Sequence, residues 1–405
     1  MRAPAPQQRP YRKILVPVDN SQHSDATVRT AARLAQGLGA TVVGLHVYAA
    51  QLHERRFMQM ETGLPERYQA AGELQRQRSV HESLIGKGLR IISESYLDQA
   101  RTLCEEAGVA FEGQLAEGKN YVEIVNAARS GDYDLVALGA LGLGARRRSV
   151  IGSVCERVLR ALPGDMLVGR KGYDGAQGIM VAIDGSPNAY QALEQSLSLA
   201  EALDQPVEVV TVFDPQFHIV AFQRLAQVLS SEAAALFRFK EQEQLHAEII
   251  DKGLERLYRG YLEQATALAA VRGREVQTTL LAGKAFQKVL DHMEERRPWL
   301  LVAGRFGQHG TELAEIGSTT ENLVRLAPCN VLVVSGALEA ATDGRPLAAE
   351  APRLPWTPEA EARLERVPAF AQPIVREAVE RYAQQHDLAQ VTAETMTQAR
   401  AALGW

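Results

Sequence analysis

Cysteine is scarce. Three occur in 405 residues, Cys104, Cys155 and Cys329, with no metal-ligand spacing and in odd number. That argues against a disulfide framework or a zinc site and fits a reducing compartment, so the expected location is cytoplasmic. Basic excess is missing as well. Forty-four Lys and Arg stand against 49 Asp and Glu, a formal net charge of −5, which argues against nucleic acid or anionic membrane as a partner. No uninterrupted apolar run has the length of a membrane span, and "MRAPAPQQRPYRK" at the start lacks the apolar core of a signal peptide. A general base or nucleophile with a clear partner is also wanting. His23, His46, His292, His309 and His386 are scattered and read as packing or surface residues.

What the chain has is a duplication. Shifted by 165 positions, Asp19 falls on Asp184, Val47 on Val212 and Gly118-Lys119 on Gly283-Lys284. Gly139 falls on Gly304, Glu156 on Glu321, Arg160 on Arg325 and Pro163 on Pro328. A period this long marks duplicated domains, residues 11–170 and 176–336, rather than a solenoid of small repeats. In each copy short Val/Leu/Ile runs such as "KILVPVD", "TVVGLHVY" and "DLVALGA" alternate with amphipathic stretches. Continuous apolar runs of strand length indicate a parallel sheet covered on both faces. The expected fold is therefore a doubly wound, Rossmann-like α/β domain present twice, with Ser21 and Ser186 as N-caps of the first helices. Long insertions, roughly residues 50–105 and 215–270, carry paired His53/His218 and His81/His246, with Phe57/Phe222 and Tyr96/Tyr261. The simpler reading is helix packing between the copies; the sharper one is a pocket lined by histidines.

Both copies repeat the spacing G-x2-G-x9-G-S: Gly139, Gly142, Gly152 and Ser153, then Gly304, Gly307, Gly317 and Ser318. Each loop follows a buried strand and opens an amphipathic helix, at the sheet edge where doubly wound folds bind ligands. Glycine lets the backbone approach a phosphate, and a helix N-terminus offers free N–H donors. Asp19 and Asp184, at the ends of the first strands, are placed to accept hydrogen bonds from a ribose. No Lys follows the glycine that opens the helix, so this is not a Walker A loop.

These motifs resemble the ATP-binding class of universal stress protein domains over residues 11–336, with "VDNS" and "IDGS" matching the turn after the first strand. The resemblance implies adenine contacts from Val47 and Val212, and pairing of the copies through their last strands into a pseudo-dimer within one chain. It implies ATP, with Mg²⁺, as ligand, and further homo-oligomers as a possible assembly. It implies nucleotide-dependent regulation in a stress response more than robust catalysis. The alternatives are an interaction scaffold with a vestigial site, or a slow ATPase. The copies differ in one respect that bears on ligand choice. Arg146, Arg147 and Arg148 in the first loop face Thr311, Glu312 and Leu313 in the second, with Glu315 where the first has Val150. Unit charges about 6–8 Å apart at an effective dielectric near 20 interact by roughly 2 kcal/mol. The simpler alternative is that both loops are solvated and their charges point away; if they face the phosphates, the first loop is the expected triphosphate site, and the second the one for AMP, ADP or nothing.

Beyond an Ala/Pro-rich stretch read as a linker, 337–353, residues 354–405 form a small helical unit with Thr357 as N-cap and Pro358 at the first helical position. Trp356, Pro368, Phe370, Glu380 and Thr392 make it similar to the C-terminal module of the B subunit of light-independent protochlorophyllide reductase. Without a reductase body or cluster cysteines, it reads as a docking module for a protein partner.

Overall fold

The structure, a computed structural model, describes residues 11–131, 133–146, 148–172, 176–214, 251–308, 316–336, 354–364, 379–380, 382–383 and 388–403, with positions 376 and 386 (backbone alone at 71, 251–252 and 400–403). The sequence-predicted linker 337–353, His218, Phe222 and His246 lie outside these residues. The chain divides into two compact units, Met1–Leu338 and Glu339–Trp405.

In the first copy the elements run β1 (Lys13–Pro17), α1 (Gln22–Leu38), β2 (Thr41–Tyr48), α2 (Ala50–Met60), α3 (Ala71–Glu106), β3 (Phe111–Glu117), α4 (Asn120–Ser130), β4 (Leu135–Gly139), α5 (Ser153–Ala161) and β5 (Asp165–Gly169). The second repeats them: β6 (Ile179–Ile183), α6 (Pro187–Leu203), β7 (Val207–Phe213), α7 (Asp251–Val271), β8 (Gln277–Ala282), α8 (Ala285–Arg296), β9 (Leu300–Gly304), α9 (Ser318–Leu326) and β10 (Asn330–Val334). Both serine caps form. Ser21 Oγ accepts from Ser24 N at 3.1 Å, and Ser186 Oγ from Ala189 N at 3.2 Å.

The copies do not fold into separate sheets. All ten strands form one, in the order β3-β2-β1-β4-β5-β10-β9-β6-β7-β8. Strand pairing is parallel within each copy, and β5 meets β10 antiparallel with Leu167 opposite Leu332. The pseudo-dimer expected from the resemblance is thus a shared sheet. One face is covered by α1, α3, α6 and α7, the other by α4, α5, α8 and α9, each over an apolar core. Continuous apolar strands are what burial on both faces demands.

The junction also carries charge. Arg160 pairs with Glu321 at 2.5 Å and, by the pseudo-twofold, Arg325 pairs with Glu156 at 2.5 Å. Deeper in, Arg305 is 3% exposed, and its guanidinium donates to the carbonyls of Leu159 and Leu162 at 2.9 and 2.6 Å. The end of α9 is held by a different residue, Arg170, which donates to Val324 O and Arg325 O at 2.7 and 2.8 Å. The last carbonyls of a helix have no partner within it, and a buried end must find donors elsewhere.

The insertions behave differently from the simpler reading of the sequence. β3 and β8 are opposite edges of the sheet. The helix α3 packs on α1, α2, β2 and β3, whereas α7 packs on α6, β7 and β8. The described parts of each insertion therefore pack on their own copy, because the strand order sends them to opposite ends.

The second unit has α10 (Pro358–Leu364) and α11 (Ala393–Leu403) around a small core that includes Leu364, Val379 and Met396. Trp356 and Val391 form a parallel bridge, Trp356 Nε1 donates to Glu380 at 2.8 Å, and the Arg376 guanidinium lies 4.5 Å over the indole. Thr392 Oγ1 accepts from Thr395 N at 3.1 Å at the start of α11. Pro368 and Phe370 lie outside the described residues. No helix among the described residues is long and apolar enough to cross a membrane.

Candidate functional site

In each copy the strand order reverses between the first and fourth strands, opening a crevice beyond their C-terminal ends. Asp19 stands there just beyond β1. Its Oδ1 accepts from Ser21 N at 3.1 Å and its Oδ2 from Leu143 N at 3.0 Å, so the carboxylate ties the glycine loop to the start of α1. Asp184 repeats this, with Ser186 N at 3.0 Å and Gln308 N at 2.9 Å. The ribose role read from the sequence therefore falls to a group already engaged by the backbone, with lone pairs to spare.

The glycines have distinct reasons to be glycine. A Cβ on Gly139 would sit 3.1 Å from backbone atoms of His23 and Ser24, so this position lets α1 approach β4. One on Gly142 would reach Asp19 Oδ2 at 2.4 Å, and one on Gly307 would reach Asp184 Oδ2 at 2.4 Å. Gly152 and Gly317 precede Ser153 and Ser318 as N-caps without a side-chain cap bond, in extended conformation. The α5 and α9 N-termini thus border the crevice without a capping side chain at the N-cap position. Uncapped N–H donors and the positive dipole end favour an anion.

The crevice of the first copy is a cavity of about 630 Å³, bordered by Asp19, Val47, the glycine loop and Ser153. That of the second is about 390 Å³, bordered by Asp184, Val212, Gly304, Gly307, Gly317 and Ser318. The sequence-predicted residues are brought together in both copies. His46 and Tyr96, read as packing residues, also line the first cavity, with their rings edge to face at 5.0 Å. His46 Nδ1 lies 2.6 Å from the Val18 carbonyl, which can only accept and so fixes the ring proton on Nδ1. Its counterpart Thr211 donates its hydroxyl to Ile183 O at 2.7 Å. Tyr261, the counterpart of Tyr96, instead accepts from the Gln308 side chain at 2.7 Å and stands against Gly185. That difference of one amide between Leu143 and Gln308 was the available signal in the sequence. Cys155 also borders the first cavity, but burial pushes its thiol up to about 12, so no thiolate is offered near neutral pH.

Two other sequence readings change. Arg146 and Arg148 are exposed beyond the cavity wall, while Ala145 and Ser149 line it; Arg147 and residues 309–315 lie outside the described residues. Ser149 Oγ accepts from Arg146 N at 3.0 Å, closing a turn in this loop. His53 is exposed on α2, and His81 stacks on Phe57 with centroids 4.2 Å apart, which is packing within the insertion.

Comparison with known proteins agrees with this arrangement. The pattern of the Universal stress protein family matches residues 10–170 and 176–335, and that of the Proto-chlorophyllide reductase 57 kD subunit matches residues 356–400. Universal stress protein MJ0531 of Methanocaldococcus jannaschii is 28% identical over 161 residues, 40% of this chain and 83% of that protein. The solved universal stress protein of Archaeoglobus fulgidus covers 81% of this chain and all of its own, with a TM-score of 0.52 at 17% identity, a likeness of fold. The B subunit of light-independent protochlorophyllide reductase from a Roseiflexus species is 51% identical over 49 residues, only 9% of its own length. With two matches spanning most of the chain and both copies sharing one sheet, this chain belongs to the universal stress protein family.

Proposed function

We propose that the chain binds adenine nucleotide at its glycine loops and acts as a nucleotide-dependent regulator, with ATP and Mg²⁺ in the first copy. The observation that carries this reading is the uncapped N-terminus of α5 opening on a cavity of about 630 Å³ that also holds Asp19 and Val47. Backbone N–H groups at Ser153 and Val154 receive the phosphates, the free lone pairs of Asp19 receive the ribose hydroxyls, and Val47 packs on adenine. In the second copy the narrower cavity and the Gln308–Tyr261 bond favour AMP, ADP or an empty, scaffolding site. This asymmetry rests on cavity size, since Arg146 and Arg148 are not among the residues that line the first cavity. The C-terminal unit engages a protein partner, and further self-association in a stress response accords with the family. Mass spectrometry of ligand released from purified, denatured protein tests the reading. Adenine nucleotide is expected; protein that releases none, even after supply with ATP and Mg²⁺, overturns it.

A further inference from the structure

A second cavity of about 430 Å³ adjoins the first-copy site, between α2, the loop from β3 to α4, and α5. Asn120 and Val154 border both cavities, so the two are neighbours. Arg55 of α2, Lys119 of the loop and Arg157 of α5 line the outer one. Some arginines elsewhere on the surface are matched with carboxylates, as in Arg78–Glu61 and Arg160–Glu321. Among the described residues, none of these three cations has an acidic side chain within ion-pair distance. The one carboxylate in the wall, Glu117, accepts from Gln51 N at 3.1 Å. Lys119 and Arg157 both lie over the Tyr121 ring, at 5.2 and 5.0 Å, which positions their charges without neutralising them.

The second copy serves as an internal comparison. Lys284 stands over Phe286 at 5.0 Å in the same way, but Asn322 replaces Arg157 and Val220 replaces Arg55. At the equivalent sequence positions the second copy keeps one of these three cations. Three unpaired cations on separate elements form a receptor for a multiply charged oxyanion. We propose that this outer compartment binds a phosphate group, so that the first copy takes a nucleotide together with a second phosphate-bearing moiety. The wall supplied by α2 means that the insertion forms a compartment beside the site. The proposal rests on the nucleotide reading only for its inner half.

The test uses the full chain and the double variant Arg55→Gln/Arg157→Asn, which carries asparagine where the second copy has it. Three probes are titrated calorimetrically: ATP with Mg²⁺, inorganic phosphate with and without ATP, and a linear dinucleotide with adenosine at both ends of a polyphosphate. The double variant is expected to weaken phosphate or dinucleotide binding by about tenfold or more, while ATP affinity alone changes by less than about twofold. Loss confined to the dinucleotide identifies a linked moiety, and loss confined to inorganic phosphate a separate ion. If ATP binds and neither probe separates the two proteins, the compartment is overturned and the nucleotide reading stands. If phosphate separates them and ATP does not bind, the compartment stands and the nucleotide reading falls.

Discussion

At the scale of the residue, the glycine motif serves the protein before it serves a ligand. Gly142 leaves room for the Asp19 carboxylate, which in turn holds Leu143 N and Ser21 N. Gly142→Ala is therefore expected to cost about 1–3 kcal/mol of stability even without ligand, because its methyl group must displace a hydrogen-bonded oxygen. A denaturant midpoint shift at unchanged slope checks this; an unshifted midpoint means the glycine is there for the ligand alone. The three thiols make a second case. Burial pushes Cys104 up to about 11 and Cys155 and Cys329 up to about 12. Their folded values lie above the unfolded one, so their contribution to stability is full below the unfolded value and is lost as pH rises through the folded values. Stability should decline from about pH 9 upward, where the unfolded chain begins to release these protons. At pH 8 alkylation of native protein should be slow and should reach all three cysteines on unfolding. Rapid labelling of the native state would contradict the burial.

At the scale of the element, repetition made most of the fold readable. Strands, serine caps, the glycines of both loops and the Glu156/Arg160 pair with its copy all appear twice at one shift, and all take equivalent places. What does not repeat was hidden. Arg305 stands where the first copy has Ala140, and Arg170 where the second has Ser335, yet each closes the C-terminal end of the other copy's helix. No local pattern announces a donor that arrives from another copy. The insertions misled for the opposite reason: a repeated apolar helix looks made for its twin, until the strand order places the two at opposite edges. Arg146 and Arg148 are exposed and outside the cavity lining, as in the alternative where the loop charges point to solvent. Arg305→Met is expected to destabilise by about 2–4 kcal/mol, since it strands two buried carbonyls, and Arg305→Lys to recover part of that. The half-exposed pairs Arg160–Glu321 and Arg325–Glu156 are each worth no more than about 1 kcal/mol. Melting curves that rank Arg305 below either pair would contradict the capping role.

At the scale of the whole molecule, the antiparallel junction sets how the two sites relate. Strands β4 and β5 run opposite to β9 and β10, so the two crevices open at opposite strand ends of one sheet. Arg305 lies in the second glycine loop yet holds the end of α5, whose other end opens the first site. Variants that silence the second site are therefore better made at Gly307, away from that contact. The most direct measurement is calorimetric titration of ATP with Mg²⁺ into ligand-stripped wild type, Gly142→Val and Gly307→Val. The account predicts that Gly307→Val keeps the wild-type affinity within about threefold while Gly142→Val loses at least about tenfold. Absence of ATP binding to the wild type, equal affinities in the two variants, or tighter binding by Gly142→Val would contradict it.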